Sequence, residues 1–244
     1  MNSSTDGDFS QRRTFAYLSL LLVGVTAVRW LSGVDWGFPY GFHSDELRYL
    51  TRVVEDPSVA VWTIYGRWPI YFQRVVSWIG GRPQTDLLLA RQLSVYVSVA
   101  GIVAVGLTAK RLSGWLGALV AMALLCGAPA VVQAAHFFIT DVWLWSAMAW
   151  SVYFCCSLVD QGGWFQVVAI GATWGLAVGS KSSGLFLFPA ICFAYRRAPS
   201  GHRWLKLLVT CFVAGSLALA GQPTLLVHGP EAFFVRGQFL HHLG

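Results

Sequence analysis

A chain of 244 residues with 56% hydrophobic and only 11% charged side chains has too little polar surface to cover itself in water, since soluble domains carry about 25% charged residues. That composition excludes a cytosolic globule, a disordered chain and a collagen-like one, and leaves a polytopic helical membrane protein. The formal net charge of +6, from 17 Lys and Arg against 11 Asp and Glu, points to cationic loops beside anionic lipid, while no basic run interleaved with aromatics suggests a nucleic-acid partner.

The polar start, 1–13, ends in Arg12-Arg13 and runs into an apolar block at 14–28. No small-x-small cleavage site precedes Arg29-Trp30, so the block reads as a first spanning helix with a cytoplasmic N-terminal tail. Residues 33–86 form the one long polar stretch, holding six of the eleven acids together with Pro39, Pro57, Pro69 and Pro83. Within it, Ser44 is a natural N-cap for Asp45 and Glu46 in a first helical turn, where negative charge is favoured. Leu47, Leu50 and Val54 recur at helical spacing opposite Arg48, Arg52 and Glu55, which predicts a short amphipathic helix at the membrane surface. A second such helix is predicted over 70–79, ending at Gly80-Gly81.

Apolar blocks follow at 87–109, 115–127, 142–159, 165–179, 183–195 and 207–221. They are continuous rather than alternating, which argues against a barrel. The 45 residues of 115–159 are too long for one crossing and break between Pro129 and Asp141. The 31 residues of 165–195 would extend about 46 Å as one helix, beyond a hydrocarbon core of about 30 Å. They form either two short helices hinged at Lys181 or one long tilted helix. The fold expected is all-α: about seven transmembrane helices over 14–221, amphipathic helices in the first external loop, and an external segment at 222–244. The five cysteines lie inside apolar blocks and have neither CxxC spacing nor a disulfide framework.

With the N-terminus inside, the dense basic turns Lys110-Arg111 and 196–206 fall inside as well. Asp45, Glu46, Asp141, Lys181, His43 and His136 are then all assigned to the external face. Each has a bland reading beside a chemical one. Asp45-Glu46 is either a solvated helix start or a base or metal ligand at the membrane surface. Asp141 is either an N-terminal helix charge or a functional acid at the edge of a span, where an ionisable group is costly unless it faces a cavity. Lys181 interrupts 31 otherwise uncharged residues, and its ammonium either snorkels to the surface or binds a phosphate. His43 and His136 are candidate site-lining residues, and single interfacial histidines are more often structural. No metal-ligand spacing, GxGxxG, P-loop or GxSxG is present.

In this order, His43-Ser-Asp-Glu46, Gly66-Arg-Trp-Pro69, Ala90-Arg91, Thr140-Asp141, Gly175-Leu-Ala-Val-Gly-Ser-Lys181 and Gln222-Pro223 resemble the GT-C membrane glycosyltransferases. The similarity is to their protein O-mannosyltransferase-like and aminoarabinose-transferase-like branch, from about Arg12 to the end. No single motif carries the resemblance; the order and spacing do. It implies inverting transfer of a mannose-like hexose or an aminopentose from a polyprenyl-phosphate donor to an acceptor hydroxyl on protein, lipid or glycan. Asp45 would then be the general base, with Glu46 shaping the site and Asp141 orienting sugar or acceptor. Lys181, and less directly Arg91, would neutralise the donor phosphate. The phosphate is already a good leaving group, so no cofactor is demanded, and a divalent cation is compatible with the site.

Family members are usually longer, so the chain is expected to be the catalytic N-terminal module of a truncated frame. The expected setting is a bacterial plasma membrane, with the endoplasmic reticulum second. The competing classes are a transporter or channel subunit, for which only Lys181 and its glycines argue, and an inactive scaffold derived from a truncated transferase.

Overall fold

The computed structural model describes residues 3–35, 46, 66–83, 86–199 and 201–222. Their regular structure is helical throughout: α1 (Ser3–Leu31), α2 (Trp68–Ile79), α3 (Leu87–Gly127), α4 (Pro129–Ala135), α5 (Thr140–Gln161), α6 (Trp164–Ser180), a 3-10 turn (Ser182–Leu187), α7 (Phe188–Arg197) and α8 (Arg203–Gly221). The local reasons are visible in the sequence. Prolines open α2, α4 and α7 within their first turns, where a missing N–H costs nothing. Asp86 caps α3 by accepting from the Leu89 N–H at 3.0 Å. Gly162 closes α5 in the left-handed region (φ 64°) with its N–H on the Leu158 carbonyl.

Among the described residues, four helices are long and apolar enough to cross a membrane: Arg12–Leu31, Leu87–Gly127, Thr140–Gln161 and Arg203–Gly221, with Trp164–Ser180 a shorter apolar one. All seven expected blocks lie in helices or helical turns, but not as seven separate long helices. Blocks 87–109 and 115–127 are one element bent at Gly114, whose φ of 77° and ψ of −170° are not helical. Beyond that bend the chain folds back, because the Met122 side chain rests on Gly106, a pair that one straight helix would hold about 24 Å apart. Block 183–195 departs furthest. Lys181 is extended, the 3-10 turn follows, and α7 has only ten residues, about 15 Å of helix. The hinge at Lys181, rather than one long tilted helix, is therefore what forms. The amphipathic helix expected over 70–79 is α2. The one expected to start at Ser44 lies outside the described residues apart from Glu46, which is helical.

One core joins α1, both limbs of α3 and α4 through Trp30, Val95, Ile102, Met122 and Ala135. A second joins α5 to α8 through Leu158, Val167, Ile170, Trp174, Ile191 and Ala214. The α6–α8 contact rests on a glycine stripe. A Cβ on Gly171 would lie 2.9 Å from the Thr210 carbonyl oxygen, and one on Gly175 2.7 Å from that of Ala214. Backbones this close are how helices associate in lipid, where apolar side chains gain nothing by leaving one apolar medium for another. Gly175→Leu is expected to lower stability by about 1–3 kcal/mol, read as a drop in melting temperature in detergent. Gly215→Leu, on α8 but facing open space, is expected to leave it unchanged.

These helices sort the polar chemistry to two ends. α3 starts near Arg91 and reaches Arg111, and α5 runs from Asp141 to Asp160, where the Arg111 guanidinium meets the carboxylate at 2.6 Å. α6 returns to Lys181. Helix α8 starts where Lys206 Nζ donates to the Gly162 carbonyl at 2.7 Å and ends at Gly221.

Candidate functional site

The Asp141–Lys181 end of the bundle gathers most of the described residues that the sequence singles out. Glu46 and Arg91 lie 45 positions apart and form a buried, two-pronged pair. Arg91 Nε donates to Oε1 at 2.8 Å and Nη2 to Oε2 at 2.7 Å, with side-chain exposures of 1% and 0%. The remaining prongs reach backbone. Arg91 Nη1 donates to the Val34 carbonyl at 3.0 Å, and the Phe138 N–H donates to Glu46 Oε1 at 2.9 Å. One carboxylate thus ties together the exit from α1, the first turn of α3 and the segment ahead of α5. Two parallel charge-assisted bonds fix direction as well as energy, so the chain at position 46 is held in one orientation.

Lys181 Nζ meets Asp141 Oδ1 at 2.6 Å, with exposures of 20% and 48%. Each charge also suits its helix terminus: Asp141 lies in the first turn of α5 and Lys181 follows the last residue of α6. Phe138 and Asp141 are three residues apart, which limits their Cα separation to about 11 Å. The Glu46–Arg91 and Asp141–Lys181 pairs are therefore neighbours at one end.

His136 stands apart from both pairs. Its Nδ1 lies 2.7 Å from the Val132 carbonyl; a carbonyl only accepts, so Nδ1–H is the donor. The ring packs beside Trp30, centroids 6.5 Å apart, and Nε2 faces Gly33. With Gly33, Gln133 and Phe137 it lines an apolar cleft of about 310 Å³. Phe137 links this cleft to the buried pair, with Arg91 Cζ 5.5 Å from its ring centroid. His43 and Asp45 lie outside the described residues. Among the described residues, no group of three or more His, Cys, Asp or Glu could hold a metal ion.

The role of Gly66-Arg67-Trp68 was not apparent from the sequence. The Gly66 N–H donates to the Ser180 carbonyl and the Arg67 N–H to the Gly221 carbonyl, both at 2.7 Å. Trp68 Nε1 donates to the Leu217 carbonyl at 2.9 Å. A Cβ on Gly179 would sit 2.6 Å from the Trp68 indole, so the ring fits only against a glycine. Gln222 Nε2 completes the bracket on the Val178 carbonyl at 2.9 Å. Carbonyls at helix C-termini lack intrahelical donors, and here the start of α2 supplies several of them next to Lys181. The sequence signal was a Trp-Pro following glycine and a glycine before Ser-Lys, but partners 149 residues apart leave no local pattern.

Comparison with known proteins follows the same outline. A family model described as dolichyl-phosphate-mannose-protein mannosyltransferase matches residues 68–227. Among solved structures, the Saccharomyces cerevisiae protein O-mannosyltransferase Pmt1–Pmt2 complex bound to the sugar donor is similar in fold, with a TM-score of 0.68 at 16% identity. The match covers 90% of this chain and 34% of that one, so this chain spans about a third of its length. No curated protein matches the chain.

Proposed function

This chain belongs to the dolichyl-phosphate-mannose-protein mannosyltransferase family, and from that premise we propose that it is the glycosyl-transferring module of an integral-membrane enzyme. The donor is a polyprenyl-phosphate sugar, mannose-like or an aminopentose, and the acceptor a hydroxyl on protein, lipid or glycan. The observation that carries the reading is the convergence of two ion pairs, Glu46–Arg91 and Asp141–Lys181, at one end of an apolar helix bundle. Acids and cations placed where membrane-length helices end suit a substrate whose phosphate lies at the interface and whose tail lies in lipid.

Asp45, the residue before the anchored Glu46, acts as general base. It takes the acceptor proton while the oxygen attacks the anomeric carbon from the face opposite the phosphate. The bond from that carbon to the phosphate oxygen breaks, the configuration inverts, and polyprenyl phosphate leaves with the bonding pair. Lys181 stabilises the charge gathering on that phosphate, and Asp141 orients the ammonium and a sugar or acceptor hydroxyl. Arg91, considered above for the donor phosphate, is assigned instead to holding Glu46, since its Nε and Nη2 both donate to that carboxylate in a buried site. The transfer site faces the outside of a bacterial plasma membrane or, as a second choice, the lumen of the endoplasmic reticulum, an orientation supported by the cation-rich opposite end through the positive-inside rule.

The test is transfer of radiolabelled mannose from polyprenyl-phosphate-mannose in membranes containing the chain. Lys181→Ala is expected to raise the donor KM about tenfold, the value of one modest charge contact, with the acceptor KM nearly unchanged. An equal rise in both would rule out the phosphate contact.

A further inference from the structure

The cleft beside His136 has no part in the transfer chemistry described above, and its walls carry a chemistry of their own. It lies between the exit of α1 and the end of α4, lined by Gly33, Gln133, His136 and Phe137, with a volume of about 310 Å³. That is the small end of the range of about 300–1,000 Å³ typical of ligand sites. One polar atom is fixed within these apolar walls. The His136 ring is held by Nδ1–H donating to the Val132 carbonyl at 2.7 Å and by the Trp30 indole beside it. With the proton on Nδ1, Nε2 of the neutral ring offers a lone pair, and no described residue donates to it. A Cβ at position 33 would stand 3.0 Å from Nε2, so glycine there keeps the nitrogen open. The described glycines with positive φ are Gly81, Gly114 and Gly162, so the backbone at 33 does not itself call for glycine. The cleft also adjoins the anchored carboxylate. Val34, after Gly33, gives its carbonyl to Arg91, and Phe138, after Phe137, donates its N–H to Glu46.

We propose that this cleft is an acceptor subsite. It seats an apolar side chain of the polypeptide that carries the hydroxyl to be glycosylated, while a backbone N–H of the same segment donates to His136 Nε2. The inference rests on the transfer reading above, in which Asp45, the residue before Glu46, receives that hydroxyl. An extended chain advances about 3.3–3.6 Å per residue, so a side chain one to three residues from the hydroxyl enters the cleft while the hydroxyl stays beside the anchored segment. A polypeptide satisfies both features of the walls. An acyl or polyprenyl chain would cover the apolar surface and leave Nε2 without a donor. A glycan would bring donors but lay its remaining hydroxyls against walls that cannot pair them.

The experiment uses the full chain in detergent micelles and fluorescein-labelled peptides with one central Thr among alanines. Leu or Asp replaces Ala at each position from one to three residues on either side. Binding is read by fluorescence anisotropy with protein-free micelles subtracted, and mannose transfer from polyprenyl-phosphate-mannose is measured in parallel. At one of these positions Leu is expected to bind at least about tenfold more tightly than Ala, the discrimination of a few carbons in an apolar pocket, and Asp more weakly than either. Gly33→Ala sets a methyl against Nε2, and His136→Phe keeps a ring beside Trp30 without the lone pair. Each is expected to raise the KM for the Leu peptide about three- to tenfold, the value of one hydrogen bond, and to leave that for the donor unchanged. Equal binding of the Leu, Ala and Asp peptides at every position, or a Leu preference unchanged in either variant, would overturn the subsite. Should His136→Phe fail to fold, Gly33→Ala and a photo-crosslinking amino acid at the exposed Gln133 decide the question. Capture of the Leu peptide over the Asp peptide supports the subsite, and capture of lipid alone overturns it. Transfer without any preference for the flanking side chain removes the subsite and leaves the transferase reading. Selective binding without transfer supports the subsite and counts against that reading.

Discussion

Asp45→Asn is expected to reduce sugar transfer by about 10²–10⁴-fold, the usual contribution of a positioned general base, while leaving membrane insertion and melting temperature unchanged. The amide keeps the size of the side chain and loses the negative charge and basicity with which the carboxylate takes the proton. The prediction draws on Glu46, because the Cα atoms of consecutive residues are about 3.8 Å apart and Glu46 is fixed by three charge-assisted bonds. A base carried by an untethered loop would sample many positions. The chain neighbour of Asp45, Glu46, is held at the same end of the bundle as the Asp141–Lys181 pair. An unchanged transfer rate in Asp45→Asn would remove it from the mechanism, whatever its effect on folding.

Arg91→Ala is expected to act the other way, on stability first. The Glu46 carboxylate would remain buried without its cation, and breaking a buried pair from one side costs about 3–5 kcal/mol. In a detergent-solubilised unfolding titration that is a large share of the total stability of a domain. Arg91→Lys is expected to recover only part of it, since an ammonium cannot reproduce the fork that reaches both carboxylate oxygens and the Val34 carbonyl. Replacing both partners, as in Glu46→Gln with Arg91→Met, is expected to restore much of the stability without restoring transfer. That outcome separates a positioning role from a merely structural one. Unfolding of Arg91→Ala at the wild-type midpoint would show that the pair contributes no net stability.

The helices could be inferred from the sequence because their cause is local. Continuous apolar blocks, prolines in first turns and glycines at ends are written within a few residues of where they act. The bend at Gly114 was foreshadowed by Lys110-Arg111-Leu-Ser-Gly, a polar interruption that separates two apolar runs. The residues of the candidate site were also recoverable as a set, since scarce charges at the ends of apolar blocks stand out. Their pairing was not. Nothing near Arg91 announces that its partner is Glu46 rather than a phosphate, because burial of a side chain is decided by segments distant in sequence. The same holds for the 183–195 block, whose composition resembles a span but whose backbone is divided by a 3-10 turn, and for α4, a turn by sequence that Pro129 instead starts as a helix.

The bracket formed by Gly66, Arg67 and Trp68 also sets an order of events during synthesis. Its acceptors are the carbonyls of Ser180, Leu217 and Gly221, so the N-terminal half of the contact emerges from the ribosome long before its counterpart. At roughly 5–20 residues per second the interval between Trp68 and Gly221 is about 8–30 s, during which the Arg67 N–H and the Trp68 indole lack their α8 acceptors. Helices α3 to α7 must therefore enter the bilayer while the end that carries Lys181 is still open, and the arrival of α8 closes it. A contact made last in synthesis marks completion of the bundle: a chain stalled before Leu217 would hold both ion pairs of the site and lack the α8 carbonyls that fix Arg67 and Trp68 beside them.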